Sequence, residues 1–241
     1  MPNDDHERIL RELEVINTLP ISSWSYPRIL VGIPLERSIS YAEKVFWPFM
    51  RIASQGPAFI ESPYGRIDII RNDFGKQLLM STYTHVLMLD IDHKHPDNII
   101  QAFAKWVILF PEIKVLSGLN FRRKIPYDPV AGDLTTTGDR PIMLEWDQGL
   151  MNVDEVGAAS LLIDRWVFEQ MEPPWFFNMY NKVWDNNFPG EDIGFCTKCR
   201  ELGIPIYIDT TISSPHCSDS FVTEETFRSF VAANQKDFRD A

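Results

Sequence analysis

Apolar positions along the chain follow two rhythms. Arg28-Ile-Leu-Val-Gly-Ile-Pro34, His85-Val-Leu-Met-Leu-Asp90 and Lys114 to Leu119 are short, continuous apolar runs cut off by proline, acid or loop. Runs of this kind are strands buried on both faces. Between and around them the spacing changes to three and four. Arg8 to Leu19 carries Ile9, Leu10, Leu13 and Ile16 on a charged background and ends before Pro20, which predicts a helix lying on the domain. A Ser-rich turn follows at Ile21 to Ser25. Tyr41 to Ala53 and Asp73 to Thr82 also read as helices, with a short strand at Ala58 to Glu61 between them. Pro96 to Phe110 places Pro at an expected first helical position and Ile99, Ile100, Phe103, Trp106 and Val107 at helical spacing.

The second half is less regular. Asn120 to Gly149 is interrupted by prolines, glycines and a Thr triplet, which predicts a long excursion with one strand at Ile142 to Trp146. Val156 to Ile163 reads as a strand of small residues, Arg165 to Met171 as a short helix and Pro173 to Phe177 as an aromatic loop. Glu191 to Leu202 is a helix with Gly203 as its C′ residue, Ile204 to Ile208 the last strand, and the charged segment after Ser220 a final helix or tail. Strands alternating with helices make this an α/β chain with right-handed crossovers and a largely parallel sheet. At 241 residues one domain with a full core is expected, without disulfide or metal staples.

Charge narrows the partners. The chain has 34 acidic against 23 basic residues, a net charge of −11, which argues against a generally basic surface for nucleic acid or anionic membrane. The acidic start lacks the order of a secretory signal, and no apolar run approaches the roughly 18 residues of a membrane span. The expected location is cytoplasmic. Three cysteines, two of them in Cys196-x-x-Cys199, make no disulfide framework.

Open α/β sheets bind ligands beyond the carboxyl ends of their strands, and Asp90-Ile91-Asp92 stands at such an end. In extended backbone Asp90 and Asp92 share a face with Cα atoms about 6 to 7 Å apart, near enough to share a divalent ion. The plain alternative is a solvated turn. Glu191 and Asp192 open a predicted helix, where carboxylates serve as caps or, in a cleft, as a general base. Asp192 is the first candidate for the base, with Glu191 as the residue that orients an acceptor. His216 follows the last strand as a surface histidine or a metal ligand, with His93 and His95 competing for that role. A zinc reading from Cys196, Cys199 and His216-Cys217 stands beside burial of two small thiols in a helix.

Together these pieces resemble the GT-A glycosyltransferases, which use nucleotide sugars. The likeness runs from about Pro27 to His216, through Ile29 to Pro34, Arg71-Asn72 opening a helix, Val86 to Asp92, Val156 to Ile163, Gly190 to Phe195 and the late His216. It implies a Rossmann-like GT-A fold, with an N-terminal helix in residues 1–26, a catalytic domain in 27–217 and a tail or helix in 218–241. By the same resemblance Asp90 and Asp92 form a DxD motif that holds Mn²⁺ or Mg²⁺ on the donor diphosphate, with Ile91 between them. His216 completes the metal site, and Asp192 is the base of an inverting transfer. Pro34, Leu35 and Glu36, in the loop that runs to Arg37, correspond to nucleotide contact, and Gly157 and Ala158 to the wall near the donor sugar. Arg66, Arg71, Lys76, Arg122 and Arg123 are candidates for phosphate or acceptor contact, Asp68 and Glu36 for base or ribose, and Trp175 to Phe177 for stacking on a sugar.

The implied reaction is metal-dependent transfer from a nucleotide-diphosphate sugar, UDP- or GDP-linked, to a hydroxyl on a glycan, a small molecule or a modified nucleic acid. One alternative is a sugar-nucleotide nucleotidyltransferase, a class that normally shows a Gly-rich basic loop after the first strand. Here that loop reads Pro34-Leu-Glu-Arg37. A third reading is a non-catalytic scaffold with structural acids or zinc.

Overall fold

The computed structural model describes residues 2–34, 42–60, 65–132, 146, 148–178, 190–217 and 221–234. In chain order the elements are α1 (Pro2–Thr18), β1 (Ile29–Gly32), α2 (Ala42–Ala53), β2 (Ala58–Ile60), α3 (Ile67–Met80), β3 (His85–Leu89), α4 (Ile99–Leu109), β4 (Val115–Leu119), β5 (Ala131–Gly132), β6 (Leu150–Val153), β7 (Glu155–Val156), β8 (Ser160–Asp164), α5 (Arg165–Gln170), α6 (Glu191–Glu201), β9 (Ile206–Ser213), β10 (His216–Cys217), β11 (Phe221–Val222) and α7 (Glu224–Ala233). Seven strands form the main sheet in the order β2-β1-β3-β8-β4-β9-β6. β2, β1, β3, β4 and β9 run one way, while β8 and β6 oppose their neighbours. The sheet is therefore mixed and mainly parallel, as expected.

Side chains alternate between two cores, because successive residues of a strand point to opposite faces. Val86 and Met88 of β3, Leu161 and Ile163 of β8 and Val115 of β4 join Ile70, Phe74 and Leu78 of α3, Phe168 of α5, Phe195 of α6 and Phe227 of α7. Leu87, Leu89, Leu162 and Leu116 face the other way, onto Ile16 of α1, Ile52 of α2 and Phe103 and Val107 of α4. The continuous apolar runs of β3 and β4, buried at every position, are explained by this two-sided covering.

Several boundaries differ from the sequence pattern for physical reasons. Helix α3 starts at Ile67 rather than Asp73, so Arg71 and Asn72 lie inside the helix and do not open it. Ile67-Asp-Ile-Ile70 has the composition of a strand, and burial of Ile70 and Phe74 against the sheet overrides that local preference. Pro96 begins a turn, with Ile99 N–H donating to its carbonyl at 3.1 Å, and α4 starts at Ile99. The expected strand from Val156 to Ile163 is split at Gly157 to Ala159 into β7 and β8, because Gly157 N–H bonds Val130 and the Ala159 carbonyl accepts from Asp90. Strand β9 runs on to Ser213 instead of stopping at Ile208.

Gly203 follows α6 with φ +67, the left-handed C′ conformation expected of it. The segment after Ser220 supplies α7, which opens on a reciprocal Thr223–Thr226 capping box and buries Phe227. The strand expected at Ile142 to Trp146 lies, apart from Trp146, outside the described residues. No helix among the described residues is long and apolar enough to cross a membrane.

Candidate functional site

A cleft of about 1020 Å³ opens at the carboxyl ends of β1, β3 and β4 and the start of α6. Its volume stands at the upper end of small-ligand sites. Pro34, Arg71, Asp90, Ile91, Asp92, Gly157, Ala158, Glu191, Asp192 and His216 all line it. Leu35 and Glu36 lie outside the described residues. Gly65 and Ile67 line the rim, but the Arg66 side chain between them turns to Asp68, 2.7 Å away, so these two residues engage each other. Lys76 is exposed on α3 and is not part of the lining.

The backbone at the end of β3 bends where extended chain was expected. His93 N–H reaches back to the Asp90 carbonyl at 3.3 Å, so Asp90 and Asp92 do not share a face as residues of one strand would. The bend is stitched to the segment after β9. Cys217 N–H donates to the Asp92 carbonyl at 2.7 Å, Lys94 N–H to that of Pro215 at 2.9 Å, and His93 forms an antiparallel bridge with His216. Residues distant in sequence are thereby fixed side by side.

Asp92 sits between two imidazoles. His93 Nδ1 donates to its Oδ1 at 2.9 Å, and His216 Nε2 lies 3.0 Å from its Oδ2. The rings of His93 and His216 stack with centroids 4.0 Å apart. Burial alone would raise the Asp92 carboxyl, but hydrogen bonds from His216 and His93 outweigh it and hold the group well below the usual carboxylate range. Arg123 Nη1 stands 3.7 Å from Oδ2. His95 is different in kind. Its Nε2 donates to the Asp90 carbonyl and its Nδ1 accepts from Ser214 Oγ, both at 2.9 Å, and burial lowers its pKa to about 3. It is a neutral brace under the bend.

Asp90 faces away from this cluster. Both of its oxygens accept from Arg71 Nη2 at 3.0 Å, and Arg71 Nη1 pairs with Glu191 Oε1. Arg71 is 3% exposed. Burial works against its charge, and Asp90 and Glu191 more than compensate, raising its pKa. One guanidinium thus ties the end of β3 to the first residue of α6. Asp192, the next residue, accepts from Ile193 N–H at 2.9 Å. Burial raises its pKa, Arg71 opposes the rise, and Asp90 adds to it. Glu191 is raised by burial in the same way and pulled back by Arg71.

One ligand atom from each of Asp92, His93 and His216 lies within 4.8 Å of the others, and among the described residues these three form the group able to hold a metal ion. A carboxylate with two imidazoles is a donor set that divalent cations accept. The cysteines stand apart from it. Cys196 and Cys199 are buried in the core, where burial pushes Cys196 well above and Cys199 up to about 12, so packing explains them. Trp175 and Phe176 also fill the core: Trp175 Nε1 donates to the Phe168 and Met171 carbonyls, and Phe176 stacks on Phe195 with centroids 4.6 Å apart. Neither is offered to a sugar.

Sequence reasoning left Asn120 and Lys124 unconsidered, yet Asn120 to Lys124 line the cleft. Applied to β4, the strand-end rule that singled out Asp90 would have found them. Arg122 is held 3.3 Å from buried Asp128.

No protein-family model matches the chain, and no curated protein matches it. Among solved structures it is similar to A197 from STIV, at 18% identity over 83% of this chain and 91% of that one, with a TM-score of 0.59. Looser likenesses are to CMP:2-keto-3-deoxy-manno-octonic acid synthetase complexed with CTP, at 7% identity, TM-score 0.43, over 87% and 99% of the two chains. A glycosyltransferase involved in the glycosylation of the major capsid of PBCV-1 stands at 16% identity, TM-score 0.40, over 76% and 83%. What the likeness to A197 establishes is a shared fold, and the chemistry must be argued from the cleft.

Proposed function

We propose that this protein is a metal-dependent glycosyltransferase that moves a sugar from a nucleoside-diphosphate sugar to a hydroxyl acceptor with inversion. The observation that carries the reading is the meeting, in one strand-end cleft, of the Asp92–His93–His216 cluster with Asp192 at the start of α6. Asp92 and His216 are the side chains that would hold Mn²⁺ or Mg²⁺. A divalent cation bound there supplies positive charge to the departing diphosphate.

The remaining work falls to the chain's own groups. Arg123 and Lys124 line the cleft as cations for phosphate oxygens. Gly157 and Ala158 line the wall for the donor sugar, and Gly157 lets that wall pack against Val130, whose Cγ1 would stand 2.8 Å from a Cβ there. Asp192 takes the proton of the acceptor hydroxyl while its oxygen forms the new bond to the anomeric carbon. The old carbon–oxygen bond breaks with its electron pair going to the diphosphate. A carboxyl raised by burial is a stronger base than an exposed one, which suits Asp192 to this step. Glu191, tied to Arg71, orients the start of the helix.

The test is a screen of UDP-, GDP-, CMP- and dTDP-sugars with Mn²⁺, reading donor hydrolysis and transfer. Cleavage of one donor class supports the reading. Release of pyrophosphate from a nucleoside triphosphate and a sugar phosphate would assign nucleotidyl transfer instead, and inactivity in both assays would favour a binding protein.

A further inference from the structure

We infer that the third protein ligand of the metal is His93 and not Asp90, so that the site selects nitrogen-preferring transition-metal dications over Mg²⁺. This rests on the metal-dependent reading above, but concerns the ion alone. The argument starts from what each donor is free to do. Asp90 has both oxygens occupied by Arg71, whose side chain is 4% exposed. Turning that carboxylate toward an ion would strip a buried guanidinium of one of its two anions, which leaves a buried charge undercompensated.

His93 needs no such sacrifice. It is bridged by backbone to His216, stacked on its ring, and brings a donor atom within 4.8 Å of those of Asp92 and His216. The hydrogen bonds point the same way. His216 Nδ1 lies 2.9 Å from the Phe121 carbonyl, which only accepts, so Nδ1 carries the proton. Its other ring nitrogen, Nε2, stands 3.0 Å from Asp92 Oδ2. A ring nitrogen bonded to a backbone carbonyl is also the usual support of a metal-bound histidine. Two imidazoles and one carboxylate favour the later first-row dications, whereas Mg²⁺ prefers an all-oxygen shell.

The experiment is titration of the wild-type protein, without nucleotide, with Mg²⁺, Mn²⁺ and Co²⁺ by calorimetry, followed by X-ray absorption of the Co²⁺-loaded protein. One Co²⁺ site with two imidazole ligands, and Mg²⁺ weaker by about a hundredfold or more, is the expected result. His93→Ala should lose Co²⁺ affinity at least about tenfold, while Asp90→Asn stays within about threefold. A single imidazole in the absorption spectrum, Mg²⁺ binding as tightly as Co²⁺, or no binding of Co²⁺ overturns the inference, and the spectrum decides even should a variant fold poorly. If no sugar nucleotide is cleaved while Co²⁺ still binds with two imidazoles, the proposed reaction falls and the metal site stands.

Discussion

Asp90 and Asp92 are two residues apart, yet they serve different halves of the cleft. Asp90 belongs to a clamp in which Arg71 holds β3 against α6, with its charge compensated. Asp92 belongs to a cluster of imidazoles joined to the segment after β9, with Arg123 nearby. The bend that closes on Asp90 separates them. A motif read as one unit in sequence is therefore divided between an ion-pair clamp and the cluster proposed to hold the metal.

The largest effect should come from the residue that the clamp positions. Asp192→Asn is expected to lower transfer by 10²- to 10⁴-fold, since an amide cannot take a proton, with donor affinity unchanged by calorimetry. Asn caps nearly as well as Asp, so stability should hold. If Asp192→Asn retains transfer and Glu191→Gln loses it, the two acids exchange roles; if both retain it, the mechanism is not inverting.

Next, Arg71→Met should reduce unfolding free energy by roughly 3–5 kcal/mol in denaturant melts, because it leaves two carboxylates facing each other without a cation. Adding Asp90→Asn and Glu191→Gln should restore much of the loss. A loss under about 1 kcal/mol in the single variant would dissolve the distinction between clamp and cluster.

A histidine at the other end of β3 supplies a reference, beside an Asp164 that Lys114 already holds. Buried His85 has its pKa lowered to about 4, by burial first, then by Lys114, with Asp164 opposing. Its folded-state pKa lies below the ordinary 6.5, so the native state binds fewer protons than the unfolded chain. Its contribution is complete above pH 6.5 and is lost as pH falls toward 4, up to roughly 3 kcal/mol. His85→Gln should flatten stability in that window, and an unchanged slope would contradict the assignment.

The smallest change in stability should follow Asp92→Asn. At pH 8 it should cost under about 1.5 kcal/mol, a hydrogen bond's worth, while metal affinity falls about 10- to 100-fold. Chelator should then have no further effect on nucleotide binding by the variant.

Much of this fold is legible in the chain because two-sided burial leaves continuous apolar runs at β3 and β4, and because Gly203 marks the end of α6. The start of α3 is not, since Ile67 to Ile70 look like strand and are made helical by packing. At the site, Asp92, Asp192 and His216 could be singled out from their places beside predicted elements. Their partners could not. Arg71 meets Glu191 across 120 positions and His216 meets Asp92 across 124, and no local spacing encodes such contacts. The DxD pattern misled on one physical point: extended geometry was assumed where the backbone bends.

The stitches between the bend after β3 and the segment around His216 also set a timetable for the protein's birth. Asp92 and His93 leave the ribosome 124 and 123 residues before His216, so at about 5 to 20 residues per second they wait roughly 6 to 25 s for it. During that interval the nascent chain carries its acids without the backbone bridges that aim them. A translating ribosome can thus display most of the sheet and still hold no finished cluster, and any ion captured earlier would be held by a different set of side chains from the one described above.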